Sequence, residues 1–186
     1  MMARVKRHPL KTALALTAVL ALAGCSTGIG SDTAVSVDGT DYTVAELQEA
    51  TTQLNVLAQQ ASEPQQVVAD LALLPLLDEV FAGSPAETTE SEVRQLLATN
   101  GVNDPGKATL DAARSRQYQQ VLGDQATFQD PAMAEALQRA QSVTTEDLAA
   151  VDVDVNPRYG TWDATNGGLS PVVPDWIRAD DAGADS

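Results

Sequence analysis

One stretch limits the folds open to this chain more than any other. Between Ser62-Glu63-Pro64-Gln65 and Gly83-Ser84-Pro85 the sequence is apolar nearly all round a helical wheel. Val67, Val68, Leu71, Leu74, Leu77, Val80 and Phe81 fall at helical spacing, interrupted chiefly by Asp70, Asp78 and Glu79. Pro64 lies in the first turn, where its missing N–H costs nothing. Pro75 lies inside, removes one backbone hydrogen bond and predicts a kink. Such a helix is either the centre of a core or the floor of an apolar groove. If a groove, Leu71, Leu74, Leu77 and Phe81 are the candidate client-binding side chains.

The flanking sequence supplies the other elements. Val35-Ser36-Val37 and Thr40-Asp41-Tyr42 surround Asp38-Gly39, a strong local signal for a β-hairpin. Thr43 and Glu46 form a capping-box pattern, followed by a stripe of Val44, Leu47, Thr51, Leu54, Ala58 and Ala61. Thr89 and Glu92 repeat the capping pattern before Val93, Leu96 and Leu97, and Asn100-Gly101 stops that helix. A fourth helix is predicted from Asp104-Pro105 with Leu110, Ala113, Val121 and Leu122. A fifth opens at Asp130-Pro131 with Met133, Ala136, Leu137 and Ala140, and a short sixth follows Thr144. Val151, Val153 and Val155 alternate with polar residues, as a strand with one apolar face does. The expected fold is mainly α with a small β closure: five to six helices, and an early hairpin paired to a late strand. Its span is Ala34 to Asp163, about 130 residues, enough to bury a real core. From Ala164 to Ser186, Asn-Gly-Gly, two Pro and a final acidic cluster predict an irregular tail.

Charge divides the chain. Its 11 basic and 26 acidic residues give −15, but Arg4, Lys6, Arg7 and Lys11 all lie in the first 24 residues. Beyond them stand 7 basic residues (11 − 4) against 26 acidic ones, or −19. That balance argues against nucleic acid, whose phosphates need a basic footprint. The basic stretch and the apolar run Thr12 to Ala23 read as a secretory signal. Leu22-Ala23-Gly24-Cys25 resembles the lipobox of bacterial lipoproteins. That resemblance implies cleavage at Gly24 and a diacylglycerol thioether on Cys25, with Ser26 to Thr33 as a flexible tether. Two or more acyl chains hold a protein stably on a membrane, since each buried methylene contributes about 0.8 kcal/mol. The expected location is therefore the extracytoplasmic face of the cell membrane. His8, the single His, falls in the leader, so the exported part has none. Catalysis by Ser-His-Asp or Cys-His and His-ligated zinc are then excluded. The sequence predicts no enzyme, no cofactor and no catalytic residue.

The segment Val35 to Thr43 entering a capped helix, the Thr88-Thr89-Glu90-Ser91-Glu92-Val93 entry and Gly101 resemble the N-terminal domain of SurA-type and PrsA-type chaperones and foldases. Val153 to Asp163, with Asn156-Pro157-Arg158-Tyr159-Gly160-Thr161-Trp162, is similar to the closing segment of SurA-like lipoproteins of high-GC Gram-positive bacteria. The resemblance implies binding of non-native or extended exported polypeptides. Many members add a parvulin isomerase domain of about a hundred residues with a His in its site. This chain has neither the room nor a His beyond the leader, so a binding domain without isomerase activity is implied.

Asp152-x-Asp154-x-Asn156 with Asp163 imitates the ends of a calcium loop, but Pro157 stands where Gly is needed, and an alternating strand explains the spacing. No metal is expected. Arg158, Tyr159 and Trp162 are either a seal on the core or a recognition patch, the residue types that dominate hot spots. The rival to a chaperone-like binder is an envelope scaffold that docks one dedicated partner through its helical body or the Trp176 segment.

Overall fold

The computed structural model describes residues 32–57 and 61–172. The leader, Gly24, Cys25, Ala58 and the Trp176 segment lie outside the described residues. Strands β1 (Thr33–Val37) and β2 (Thr40–Thr43) form the hairpin, with Asp38 and Gly39 both at positive φ (47° and 76°), the two-residue turn that matches strand twist. β1 begins at Thr33, the last residue assigned to the tether. Strand β3 (Val153–Val155) pairs antiparallel with the other edge of β1, giving the order β2-β1-β3 with Val35 opposite Val155 and Val37 opposite Val153. Asp38 fastens this closure twice: its N–H donates to Asp152 O at 2.8 Å, and its Oδ1 accepts the Asp152 N–H at 2.9 Å.

The described residues form six α-helices, α1 (Val44–Asn55), α2 (Pro64–Phe81), α3 (Glu90–Thr99), α4 (Lys107–Gly123), α5 (Ala134–Ser142) and α6 (Thr145–Ala150), of which α1 and α2 lie on the sheet and α5 and α6 pack on α2. Reciprocal capping boxes open α1, α3 and α6, at Thr43/Glu46, Thr89/Glu92 and Thr144/Asp147. α1 is shorter than its stripe. It ends at Asn55, whose side-chain amide turns to Ser62, accepting its N–H at 2.6 Å, and Ala61 is exposed beyond the helix. α4 starts at Lys107 rather than at Asp104-Pro105; there Gln53 of α1 accepts the Thr109 hydroxyl and donates to Asp104 O. Two single-turn 3-10 helices, Thr127–Gln129 and Pro131–Met133, lead into α5. On α3, Val93 and Leu97 are buried, but Leu96 is 41% exposed on the flank of the stripe.

The irregular segment expected from Ala164 does not hold for residues 168–170. β4 (Thr161–Asp163) and β5 (Gly168–Ser170) form a second hairpin, and Leu169 of β5 packs on the core. Its turn lies against α2 and α6. Gly167, at φ 60°, takes the left-handed conformation that favours glycine, and a Cβ there would make ordinary contact, at 3.7 Å, with Leu73 and Leu148.

Burial divides the core along α2. Val67, Val68 and Leu71 join β1, α1, α3 and the first half of α4 in one cluster. Leu74, Leu77, Val80 and Phe81 join Tyr118 of α4 and Met133, Ala136 and Leu137 of the α5 region in a second. Phe81 and Tyr118 stack with ring centroids 4.6 Å apart and planes 6° from parallel.

Candidate binding cleft

The four side chains expected to floor a groove do not. Leu71 and Phe81 are at most 1% exposed, Leu74 is 6% and Leu77 is 8%. The reason is α4, which lies along this face of α2, with α5 closing over its C-terminal end. The apolar contacts that these side chains could have offered to a client are made inside the molecule.

The same helix keeps a second apolar face. Pro75, Leu76 and Val80 line one wall of a cleft of about 380 Å³, with Val143, Ala150 and Val151 opposite. Leu76 and Pro75 are half-buried, so aliphatic surface is reachable there. Asp38, Glu79 and Asp147 stand at its rim, and Arg139 forms one side. Each comes from a different element: the β1–β2 turn, α2, the first turn of α6 and α5. The cleft therefore exists only once the late strand has brought α6 beside the hairpin turn.

Its electrostatics are uneven. Arg139 is held fast: Nε donates to Val80 O at 2.8 Å, Nη2 to Ala82 O at 2.9 Å, and Nη1 pairs with Glu135 at 2.8 Å. It caps the last carbonyls of α2, a favourable place for a cation. The Asp147 carboxylate accepts both the Thr144 backbone N–H and its hydroxyl, and these bonds hold it below the usual carboxylate range. Glu79 has neither a hydrogen-bond nor an ion-pair partner among the described residues. A cavity of about 650 Å³ lies against the N-terminal part of α2, between Gln66, Leu73 and the β4–β5 turn. Its lining is mainly amide, glycine and short aliphatic groups, with Glu63 as its one charged residue among those described.

Arg158, Tyr159 and Trp162 do not form one exposed patch. Tyr159 packs against the first core cluster, Trp162 is half-buried in β4 opposite Leu169, and only Arg158 is exposed. Asn156 organises this corner, donating its side-chain amide to Thr33 O at 3.0 Å and accepting the Arg158 N–H at 3.2 Å. In the calcium-like pattern, Asp152 and Asp154 belong to the β3 region, while Asp163 accepts from Thr165, Asn166 and Ser170 in the β4–β5 turn. Among the described residues, no group of three or more His, Cys, Asp or Glu side chains could hold a metal ion. No described helix is long and apolar enough to cross a membrane.

Polar groups elsewhere hold helices together. Asp70, 1% exposed, accepts from Arg116 Nε at 2.6 Å and from Gln66 and Gln119 at 3.2 and 3.1 Å, joining α2 to α4. Asp78 pairs with Arg114 at 2.7 Å nearer the surface; burial pushes its carboxyl above the ordinary value despite that pairing. Tyr42 donates to Asp111 Oδ2 at 2.9 Å under the Lys107 ammonium, and burial raises the phenol to about 12.

Comparison with protein-family models, with curated proteins and with solved structures returns no match for this chain.

Of the cleft residues, the sequence marks Pro75 only as a kink and does not mark Leu76 at all. Their signal was present in the all-round apolarity of α2, which offers more apolar surface than one packing face consumes.

Proposed function

We propose that this chain is an exported lipoprotein, cleaved at Gly24 and anchored through Cys25, whose helical domain binds segments of non-native or extended polypeptides without isomerising them. The observation that carries this reading is the open cleft against α2, with aliphatic walls at Leu76 and Val151 and a size within the range of pockets that take side chains. The resemblance to SurA-type and PrsA-type domains points the same way, and the early hairpin paired to a late strand is compatible with it. The reading involves no catalytic step, no cofactor and no nucleic acid.

Tether length adds to it. Asp32 is seven Cα-to-Cα steps from Cys25 (32 − 25), at most about 25 Å when fully extended. The chain enters β1 at Thr33, whereas the cleft touches Asp38, beyond the opposite end of that strand. An anchored domain would then hold its cleft away from the tethered end, towards exported chains.

The test is suppression of aggregation of a chemically unfolded client by the full-length protein in uncharged detergent. Loss of suppression in Leu76→Asp, with an unchanged circular-dichroism melt, supports the reading; full suppression by that variant rejects it. Anchoring has its own test, since Cys25→Ser must release the protein or leave it unprocessed. A dedicated-partner scaffold remains the second reading, favoured by the small size of the cleft. Deleting 175–186 and repeating a pull-down separates the two: a chaperone keeps many weak clients, and a scaffold that docks through the Trp176 segment loses its one partner.

A further inference from the structure

We infer that the cleft beside α2 selects polypeptide segments in which a basic side chain stands next to an aliphatic one, and rejects acidic segments. This rests on the polypeptide-binding reading above and names the sequence class it takes. The aliphatic half follows from the walls, where Pro75, Leu76 and Val80 face Val143 and Val151 across a space of about 380 Å³. Burying one aliphatic side chain there removes apolar area from water on both partners.

The basic half follows from the rim. Glu79, Asp38 and Asp147 border the cleft, against the single cation Arg139. That guanidinium is oriented away from full pairing with them, with Nε on Val80 O, Nη2 on Ala82 O and Nη1 on Glu135, and the Glu135 carboxylate, which does not line the cleft, already offsets its charge. Each rim carboxylate keeps acceptor capacity. Glu79 has no partner among the described residues, Asp38 uses only Oδ1 and Asp147 only Oδ2. A lysine or arginine at the rim would meet unspent acceptors, while a carboxylate would meet unscreened like charge beside an apolar wall. The whole chain, at −15, steers in the same direction.

The experiment measures fluorescence anisotropy of three labelled nonapeptides with the full-length protein in uncharged detergent at low ionic strength. The peptides are identical except for lysine, glutamine or glutamate beside a central leucine. The expected result is binding in that order, with lysine about tenfold tighter than glutamate and the gap shrinking as salt is added. Glu79→Gln, a change at an exposed side chain without partners, narrows the gap by about threefold to fivefold. Leu76→Ser weakens all three peptides. Equal affinities for the three, with Leu76→Ser still weakening each, would overturn the charge selection and leave the polypeptide-binding reading standing. No binding of any peptide, or binding indifferent to Leu76→Ser, would overturn both.

Discussion

The two halves of α2 are both mostly apolar and have opposite fates. The first half, Val67 to Leu71, is enclosed by the sheet, α1 and α4, and even its carboxylate, Asp70, is buried on a complete set of donors. The second half, Leu74 to Phe81, is closed by α4 and α5 on one side only, and its other side opens on the cleft. Of its two acids, Asp78 is 40% exposed in the side chain and Glu79 is exposed. Apolar sequence therefore sets how much surface must be covered, and the number of neighbouring elements sets how much is. α5 has nine residues and α6 six, too little helix to enclose the second half as the sheet and α1 enclose the first.

The sharpest way to break this comparison is Phe81→Ala. Removing a fully buried ring that stacks on Tyr118 costs about 3–5 kcal/mol. Hydrogen exchange on the variant would show protection lost in α5 and retained in β1 and α1 if the two clusters are separate cooperative units. Uniform loss would show that they are one.

The two ion pairs joining α2 to α4 make a matched experiment. Asp70→Ala leaves the part-buried Arg116 without its anion and costs about 3–5 kcal/mol. Asp78→Ala, at the more exposed pair, costs about 1 kcal/mol or less. Denaturant midpoints measure both, and equal losses would erase the distinction between the halves.

Gly160 tests the lid on the first half. At φ 126°, with an added Cβ only 2.7 Å from Ser170 O, Gly160→Ala must displace the β4–β5 hairpin and is expected to cost about 1–3 kcal/mol. An unchanged melting temperature would mean that Leu169 does not contribute to closing that cluster.

An alkaline pH dependence is also expected, to which Tyr42 in the first half contributes beside Tyr118 in the second, both raised by burial. Tyr42 titrates near 10 when unfolded and at about 12 when folded, so the folded state holds its proton longer. Stability is then complete below pH 10 and falls as pH rises from 10 through 12. The neighbouring Lys107, also raised, acts in the same direction. Tyr42→Phe should flatten the decline measured by denaturation at pH 9 to 12; an unaltered slope would remove the phenol from the account.

Much of this architecture is legible residue by residue. The turn at Asp38-Gly39, the capping boxes at Thr43 and Thr89, and the stop at Asn100-Gly101 all occur where sequence places them. The late strand also pairs with the early one, because Val153 and Val155 need an apolar face to lie against. The misses share a cause. β5 is three residues, Gly-Leu-Ser, with no periodicity to detect, and it exists because β4 and α2 are beside it. Tyr118, among the most buried side chains, is not marked in the sequence with Leu110, Ala113, Val121 and Leu122 although it stands three and four residues before the last two, and it is held inward by Phe81 and the Thr88 backbone.

What the sequence alone determined are the features decided within three or four residues: capping boxes, the Asp38-Gly39 turn, the helix stops before Gly83 and Gly101, and the quantity of apolar surface to be hidden. Which face of α2 would be hidden was outside its reach. A helix apolar on every side has no preferred direction, so its orientation is chosen by the partners that arrive, α4 and α5 against Leu74 and Phe81. The face left to water, at Pro75 and Leu76, is the one for which the chain supplied too little helix to cover.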